Sequence, residues 1–425
     1  MSKKLGKYEL IKKLGEGATS TVYLGRDPFA QRDVAIKVAT PEILGDPDKG
    51  RLYSHLFLNE ASLVGKLNHP HIVQIYDAVV AEKLCYIVME YVPGHTLEEH
   101  ARPGHLLPMD RVVELIFKCT RALDFAHRIG ITHRDIKPAN ILMSGESDIK
   151  ISDFGAAIIG GNARTQVSGV GSPAYMSPEQ VQEESLDHRT DIYSLGVVMF
   201  QLLTGQLPFE GETHYKTIYQ IINAPTPRPS SLNPMIPEAL DDIIARAMAK
   251  DREQRYPTWE AFAHDLAQAV RNRQLLTPRV DFADTEKYAI LRSLPFFADF
   301  SDVEIWEVLR FSQWRHVPPN TLIMRDGEPG DFFCFLAEGE LQVSKHGKPL
   351  SRLTQGACFG EMALLGRKPL KRSADVATIT DADIVIVRGE ALQKSSEACR
   401  MHFYQAFVDV LASRLAVANQ RLSSH

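Results

Sequence analysis

The chain of 425 residues has 44% hydrophobic and 24% charged residues and a net charge of −5. That balance belongs to a globular protein of two or three domains. It excludes wholesale disorder, a collagen-like fibre, a small disulfide-stapled scaffold and a global basic field for nucleic acid.

The N-terminus, Met1-Ser-Lys-Lys-Leu-Gly-Lys, has no apolar core behind its lysines, so no secretory leader is expected. Residues 7–100 then read as strand-rich. Tyr8 to Leu14, Thr21 to Gly25 and Val34 to Val38 are short β-type segments broken by Gly-rich and Asp-Pro turns. A helical stretch with Leu56, Leu63, Val64 and Leu67 on one face follows, and Ile72 to Tyr76 and Cys85 to Glu90 return to strand character. From 110 to 270 the pattern is mainly helical. Ile192 to Leu203, interrupted by Ser194, Gly196 and Gln201, predicts a buried core helix and not a membrane span. Residues 271–294 lose periodicity and are expected to link two domains. Residues 295–390 show short alternating segments (Thr321 to Met324, Phe332 to Ala337, Leu341 to Ser344, Ile384 to Val387) at the close spacing of a small β-sandwich or barrel. The end, about 395–423, is helical again. The five cysteines, at 85, 119, 334, 358 and 399, are odd in number and contain no Cys-x-x-Cys, which predicts reduced thiols in a cytoplasmic protein.

Several motifs in the first domain carry chemistry. Leu14-Gly-Glu-Gly17-Ala-Thr-Ser20-Thr-Val22 lies between two strands, where glycines let backbone N–H groups approach phosphate oxygens. Alone it is a bare turn, and Ser20 stands where a third glycine is expected. Val34-Ala35-Ile-Lys37 follows one strand later, placing a lysine on an apolar strand. Glu60, among apolar neighbours on the next helix, is its expected partner. Ile131-Thr-His133-Arg134-Asp135-Ile-Lys137-Pro-Ala-Asn140 offers a base, a cation and an amide in order. Asp153-Phe-Gly155 follows a strand-like segment and supplies a carboxylate suited to Mg²⁺.

Residues 8–270 thereby resemble the eukaryotic-type protein kinases, and more closely their bacterial serine/threonine branch. The resemblance implies a small β-rich lobe over a larger helical lobe, with ATP between them. By it, Gly15, Glu16 and Gly17 cover the phosphates. Val22, Ala35, Met89 (the gatekeeper), Glu90 and Val92 (the hinge) surround the nucleotide, and Lys37, paired with Glu60, holds its phosphates. Asp135 would take the substrate hydroxyl proton and Lys137 would neutralise the transferring phosphoryl group. Asn140 and Asp153 would hold Mg²⁺. Lys137, two residues beyond Asp135, resembles the serine/threonine class. Ser172 and Ser177 depart mildly from the family's Thr and Ala. Glu179 is expected to pair with Arg255, and Asp191 to brace the catalytic loop. Arg134 suggests a phosphorylated activation loop, with Thr165 and then Ser168 as candidate phosphosites; the other reading of these two is polar loop.

In the second domain, Gly330-Asp331, Glu338-Gly-Glu340, Phe359-Gly360-Glu361-Met362-Ala363 and Arg372-Ser373-Ala374 form one run. Gly360 opens a turn whose N–H groups suit an anion, Glu361 suits a ribose hydroxyl, and Arg372 carries a fork fitted to phosphate. The run resembles the phosphate-binding cassette of cyclic-nucleotide-binding domains, such as catabolite activator protein and protein kinase A regulatory subunits. The resemblance spans about 295–415. It implies an eight-stranded jelly roll with flanking helices and a bound cyclic nucleotide, cyclic AMP first and cyclic GMP second. On the last helix Tyr404, Val408, Leu411, Leu415, Ala418 and Leu422 form an a/d seam. It suits either its own domain or a second copy, and both readings stay open.

The sequence therefore predicts a multidomain α+β chain: a bilobal kinase at 8–270, a linker at 271–294 and a cyclic-nucleotide-binding jelly roll at 295–425. The expected activity is ATP- and Mg²⁺-dependent phosphorylation of protein serine or threonine, regulated by cyclic nucleotide. The expected partners are protein substrates, the nucleotide and a second copy, with no nucleic acid and no membrane. The alternatives are a kinase whose C-terminal domain serves assembly and a nucleotide-sensing pseudokinase scaffold. A transcription factor, which needs a helix-turn-helix after the last helix, is not the expected reading.

Overall fold

The computed structural model describes residues 4–17, 20–40, 57–81, 84–145, 148–156, 158–159, 173–274, 284–363 and 371–423. The chain divides into two compact units, Met1–Leu276 and Thr277–His425.

The first unit opens with strands β1 (Lys4–Leu5), β2 (Tyr8–Glu16), β3 (Ser20–Asp27), β4 (Arg32–Ala39), β5 (Ile75–Ala81) and β6 (Leu84–Glu90). They form an antiparallel sheet in the order β1-β2-β3-β4-β6-β5. The strand period of two sorts β4 into two faces. Val34 and Ile36 bury with Tyr8, Tyr86 and Val88 on one face. Ala35 and Lys37 therefore lie on the other, opposite Met89 and Ile87 in register. The helix expected around Leu56 to Leu67 ends early: among the described residues 57–61 are helical, and a turn containing Gly65 (φ +75°) follows. The strand expected at Ile72 starts at Ile75, because Ile72 is drawn off into a single parallel bridge with Ile151.

The rest of the unit is helical: α1 (Met109–Arg128), α2 (Pro178–Val181), α3 (Arg189–Thr204), α4 (His214–Asn223), α5 (Glu238–Ala247) and α6 (Trp259–Gln274). Between α1 and α2 lie the short strands β7 (Ile131–Thr132), β8 (Ile141–Ser144), β9 (Asp148–Ile151) and β10 (Ile158–Ile159), paired as β7-β10 and β8-β9. Helix α3 is buried along most of its length. It ends on Gly205, whose φ of +75° suits a residue without a side chain. Among the described residues no helix is long and apolar enough to cross a membrane.

The stretch expected as linker holds the end of α6 and all of α7 (Asp284–Ser293), which belongs to the second unit and buries Thr285, Tyr288 and Leu291. Its loss of periodicity reflects two helix ends in succession. Helix α8 (Asp302–Phe311) follows, with a capping box between Ser301 and Glu304. The strands are β11 (Gln313–Val317), β12 (Leu322–Met324), β13 (Phe332–Glu338), β14 (Leu341–Lys345), β15 (Lys348–Leu353), β16 (Cys358–Phe359), β17 (Asp375–Thr378) and β18 (Ala382–Arg388). They form two four-stranded sheets, β11-β18-β13-β16 and β12-β17-β14-β15, the architecture of a jelly roll. Helices α9 (Gly389–Gln393) and α10 (Glu397–Ser423) close the unit. Phe403 and Phe407 of α10 bury against Phe296 and Phe333, and Phe403 also against Phe297. The a/d seam lies elsewhere on the helix: Tyr404 is 36% exposed, and Val408 and Leu415 are each 63% exposed. All five cysteines are buried and unbonded.

Candidate functional site

Lys37 reaches from β4 to two carboxylates. Its Nζ lies 3.0 Å from Glu60 Oε2 and also pairs with Asp153 Oδ1. Burial works against the ammonium charge, but Glu60 and Asp153 outweigh it and hold the lysine above its ordinary value. The Asp153 carboxyl, which burial would push up, is held down by Lys37. Glu60 is 3% exposed, and burial pushes its carboxyl up despite the lysine. A lysine and a carboxylate distant in sequence are thus fastened together, which is the charge arrangement a phosphate-holding lysine requires.

The loop after β7 is built around Asp191 of α3. That carboxylate accepts the backbone N–H groups of His133 and Arg134, each at 2.7 Å. It is 2% exposed, and burial raises its pKa. Arg134 takes a positive φ of 70°, and Asp153 one of 65°, a region uncommon for residues other than glycine. Phe154 packs its ring 4.4 Å from that of His133, whose Nε2 meets Ser152 O at 3.0 Å. Asp135 Oδ2 accepts from Lys137 Nζ at 2.7 Å and from Asn140 Nδ2 at 3.0 Å. Asn140 Nδ2 also donates to Asp135 O at 2.8 Å. An amide oxygen and the Asp153 carboxylate are both hard oxygen donors, the chemistry that suits Mg²⁺.

The remaining candidates sit around this core. Gly15 pairs with Val22 across β2 and β3, and Val22 pairs with Lys37 across β3 and β4. Gly17 N donates to Ser20 O at 2.8 Å, closing the turn. Glu16 lies on the surface in an ion pair with Lys13. Ala35 and Met89 face each other in register and are buried, as is Val92. Glu90 accepts from Gln74 N at 3.3 Å and pairs with Lys150 at 3.0 Å. Thr165, Ser168 and Ser172 lie outside the described residues. Glu179 and Arg255 form a bidentate buried pair at 2.7 and 2.8 Å. Sequence reasoning overlooked Gln180: its side chain donates to Arg134 O at 2.9 Å and so ties α2 to the catalytic loop.

In the second unit a cleft of about 620 Å³ is lined by Phe359, Gly360, Glu361, Met362, Arg372 and Ser373, among others. Arg372 is 6% exposed. Its Nη1 donates to Gly360 O at 2.8 Å and its Nη2 to Phe332 O at 2.7 Å, with the guanidinium 4.5 Å above the Phe332 ring. Burial lowers its pKa. Gly360 has φ +84°, and a Cβ there would come within 2.8 Å of Arg372 Nη1. The glycine therefore makes room for the arginine. Lys371, Ser373 and Ala374 complete this wall, and Lys345 Nζ donates to Ser373 O at 3.0 Å. Residues 364–370, with Arg367 and Lys368, are outside the described residues, and nothing is described of the Ala363 side chain.

Glu361 is the most enclosed of these, at 1% exposure. Its Oε1 pairs with Arg414 Nη1 of α10 at 2.6 Å. Arg414, which also lines the cleft, was invisible to motif reading: it lies 53 residues from Glu361 on a helix whose sequence signal is its apolar seam.

Comparison with known proteins agrees with both units. The family model of the protein kinase domain matches residues 8–267, and that of the cyclic nucleotide-binding domain matches 314–398. The chain is 38% identical over 295 residues to serine/threonine-protein kinase PknB of Mycobacterium tuberculosis, covering 68% of this chain and 46% of that protein. It is 35% identical over 296 residues to serine/threonine-protein kinase PrkC of Bacillus subtilis, covering 69% of this chain and 45% of that protein. The chain thus spans a little under half the length of these relatives.

Proposed function

The chain belongs to the protein kinase family, with a cyclic nucleotide-binding domain after the kinase domain, and on that premise we propose that it transfers the γ-phosphoryl group of ATP to serine or threonine of proteins under control of a cyclic nucleotide. The observation that carries the catalytic half is the Lys37 bridge to Glu60 and Asp153 beside the Asp135–Lys137–Asn140 network. Lys37 holds the α- and β-phosphates, Asp135 accepts the proton of the attacking hydroxyl, and Lys137 meets the charge on the transferring group. Gly15 and Gly17 cover the phosphates, and Val22, Ala35, Met89 and Val92 enclose the base. Asn140 and Asp153 would hold Mg²⁺, which when bound supplies charge neutralisation at the phosphates.

In the second unit, Arg372 and the turn at Gly360 receive the cyclic phosphate, and Glu361 receives the ribose. Cyclic AMP is the first ligand to test. Ligand binding alters kinase output only if it favours one of two kinase states over the other. The exposure of Tyr404, Val408 and Leu415 supports pairing of α10 with a second copy through its seam.

The test is autophosphorylation, and phosphorylation of a basic protein, with ATP and Mg²⁺ across titrations of cyclic AMP and cyclic GMP. Wild type and Asp135→Asn are compared. The expected result is a rate that responds to one nucleotide and falls at least 10²-fold in Asp135→Asn, which still binds that nucleotide. An inactive wild type that binds the nucleotide would favour the scaffold. An active enzyme indifferent to both nucleotides would favour an assembly role for the second unit.

A further inference from the structure

We infer that His95 and His100 form a site for one divalent transition-metal ion of the zinc class. The two side chains lie on the segment that follows Val92, and they converge through their Nε2 atoms, 3.1 Å apart.

Three observations carry it. The rings are tilted by 59° with centroids 5.2 Å apart, so they do not stack but meet nitrogen to nitrogen. Zinc binds imidazole nitrogen at about 2.0–2.1 Å in a tetrahedral shell, which sets two such nitrogens about 3.3 Å apart, so the pair admits an ion after opening by about 0.2 Å. Second, His100 Nδ1 lies 2.9 Å from His105 O. A carbonyl only accepts, so Nδ1 carries the proton, and in the neutral ring Nε2 presents its lone pair toward His95. A carbonyl behind the ring orients metal-ligating histidines in the same way. Third, the backbone holds both residues in place. Met143 N donates to His95 O at 2.8 Å, Thr96 bridges to Leu142, Leu97 is buried, and Gln201 Nε2 donates to Ala101 O at 3.2 Å. Gly94, with φ +144°, lets the segment approach β8, since a Cβ there would come within 2.3 Å of Met143 O.

In the metal-free chain His95 Nε2 donates to His100 Nε2. The ion takes the place of that proton, which moves to His95 Nδ1, so both rings stay neutral and each offers one lone pair. Imidazole nitrogen suits zinc, copper and nickel and leaves Mg²⁺ to oxygen donors. Both histidines are half-buried, so water reaches the remaining coordination positions. Among the described residues no cluster of three or more histidine, cysteine or carboxylate ligands is assembled, so the site is an open one of two protein ligands and water. Closeness of two histidines is not enough by itself: His127 and His188 have centroids 4.2 Å apart, but they stack at 26° and do not point at a common atom. Because His100 ends the short helical turn Leu97–His100, a bound ion would close residues 95–100 into a ring just beyond Val92.

The experiment titrates zinc chloride into the full chain by calorimetry, with excess Mg²⁺ present throughout to occupy oxygen sites. Wild type, His95→Gln, His100→Gln and His105→Ala are compared. Wild type should take up one ion that each glutamine variant binds at least about 10-fold more weakly, since each lacks one of the two ligands. His105→Ala keeps its carbonyl and should bind as wild type does. Zinc should also raise the midpoint of thermal unfolding in wild type and His105→Ala and leave it unmoved in the glutamine variants. Each glutamine variant tests the inference by itself, so if one fails to fold the other decides. No uptake by wild type, or equal uptake in wild type and the glutamine variants, would overturn the inference and leave the pair as a hydrogen bond between two histidines.

Discussion

Replacing Arg255 by alanine should both destabilise the kinase unit and slow its catalysis. The Arg255 side chain is 0% exposed and that of Glu179 is 6% exposed. Beyond its bidentate pair with Glu179, Arg255 donates to Ala249 O at 2.7 Å and to Arg189 O at 3.0 Å, and it lies 5.0 Å from the Tyr193 ring. Truncation leaves a buried carboxylate without its cation, which costs about 3–5 kcal/mol. For a unit of this size each kcal/mol lowers the midpoint by about 2–4 °C, so Arg255→Ala should melt about 6–20 °C lower. Replacing both partners with apolar residues, Arg255→Met with Glu179→Leu, removes the stranded charge and should recover much of that loss. The catalytic effect follows from connectivity. Glu179 lies in α2, where Ser177 and Gln180 form a capping box, and Gln180 holds Arg134 O beside Asp135. The single variant should therefore lower kcat more than it raises the KM for ATP. Differential scanning calorimetry of the full chain and initial-rate kinetics check both. A midpoint shift below 2 °C, or a double variant no better than the single one, would refute the reasoning.

Two further outcomes can be stated. Arg372→Gln should raise the Kd for the regulatory nucleotide about 10- to 150-fold, since it removes a charge-assisted contact; titration calorimetry measures this, and an unchanged Kd would place the phosphate elsewhere. Acid stability of the kinase unit should follow Asp153 and Asp187. Burial would raise both carboxyls, but Lys37 holds the first, and hydrogen bonds from Arg189 hold the second, below the ordinary value of 3.8. A depressed native value gives stability that is present above about pH 4 and is lost as pH falls through that value. Urea midpoints should fall below pH 4 in wild type and fall less steeply in Asp187→Asn; identical slopes would sink this account. Asp191, whose carboxyl burial raises, runs the other way and loses its contribution as pH rises.

The kinase cleft was legible because its chemistry is written in short ordered segments. Val34-Ala-Ile-Lys37 states both its strand and the face of its lysine, since a period of two leaves Lys37 opposite Val34 and Ile36. The Asp153 carboxylate was readable from its place after a strand, but its pairing with Lys37 was not, since Glu60 was the partner expected for that lysine. The extents of the elements were less legible. The stretch around Leu63 and Val64 carries an apolar period, yet Gly65 takes φ +75° and the backbone turns there. Ile72 has strand propensity but spends it on one bridge to Ile151, because the chain must cross to β9 before it can pair with β6.

The second cleft shows why motif reading finds ligand-facing groups and misses what supports them. Phe359-Gly360-Glu361 and Arg372 lie close in sequence because a turn and an adjoining strand build one wall. The groups that orient them come from far along the chain: Phe332 O and Gly360 O for Arg372, Arg414 for Glu361. Nothing in the local sequence of α10 marks Arg414, since an arginine between apolar seam positions reads as a solvated helix face. The periodicity of that helix was also open to two interpretations. Phe403 and Phe407, one turn apart, anchor it to the jelly roll, while Tyr404 and Val408, each one residue further on, point away and stay exposed. A shift of one residue turns a helix by about 100°. One helix therefore carries a face for its own core, an exposed apolar seam and, at Arg414, a residue of the cleft wall. Only the placement of its two phenylalanines decides which residues do which.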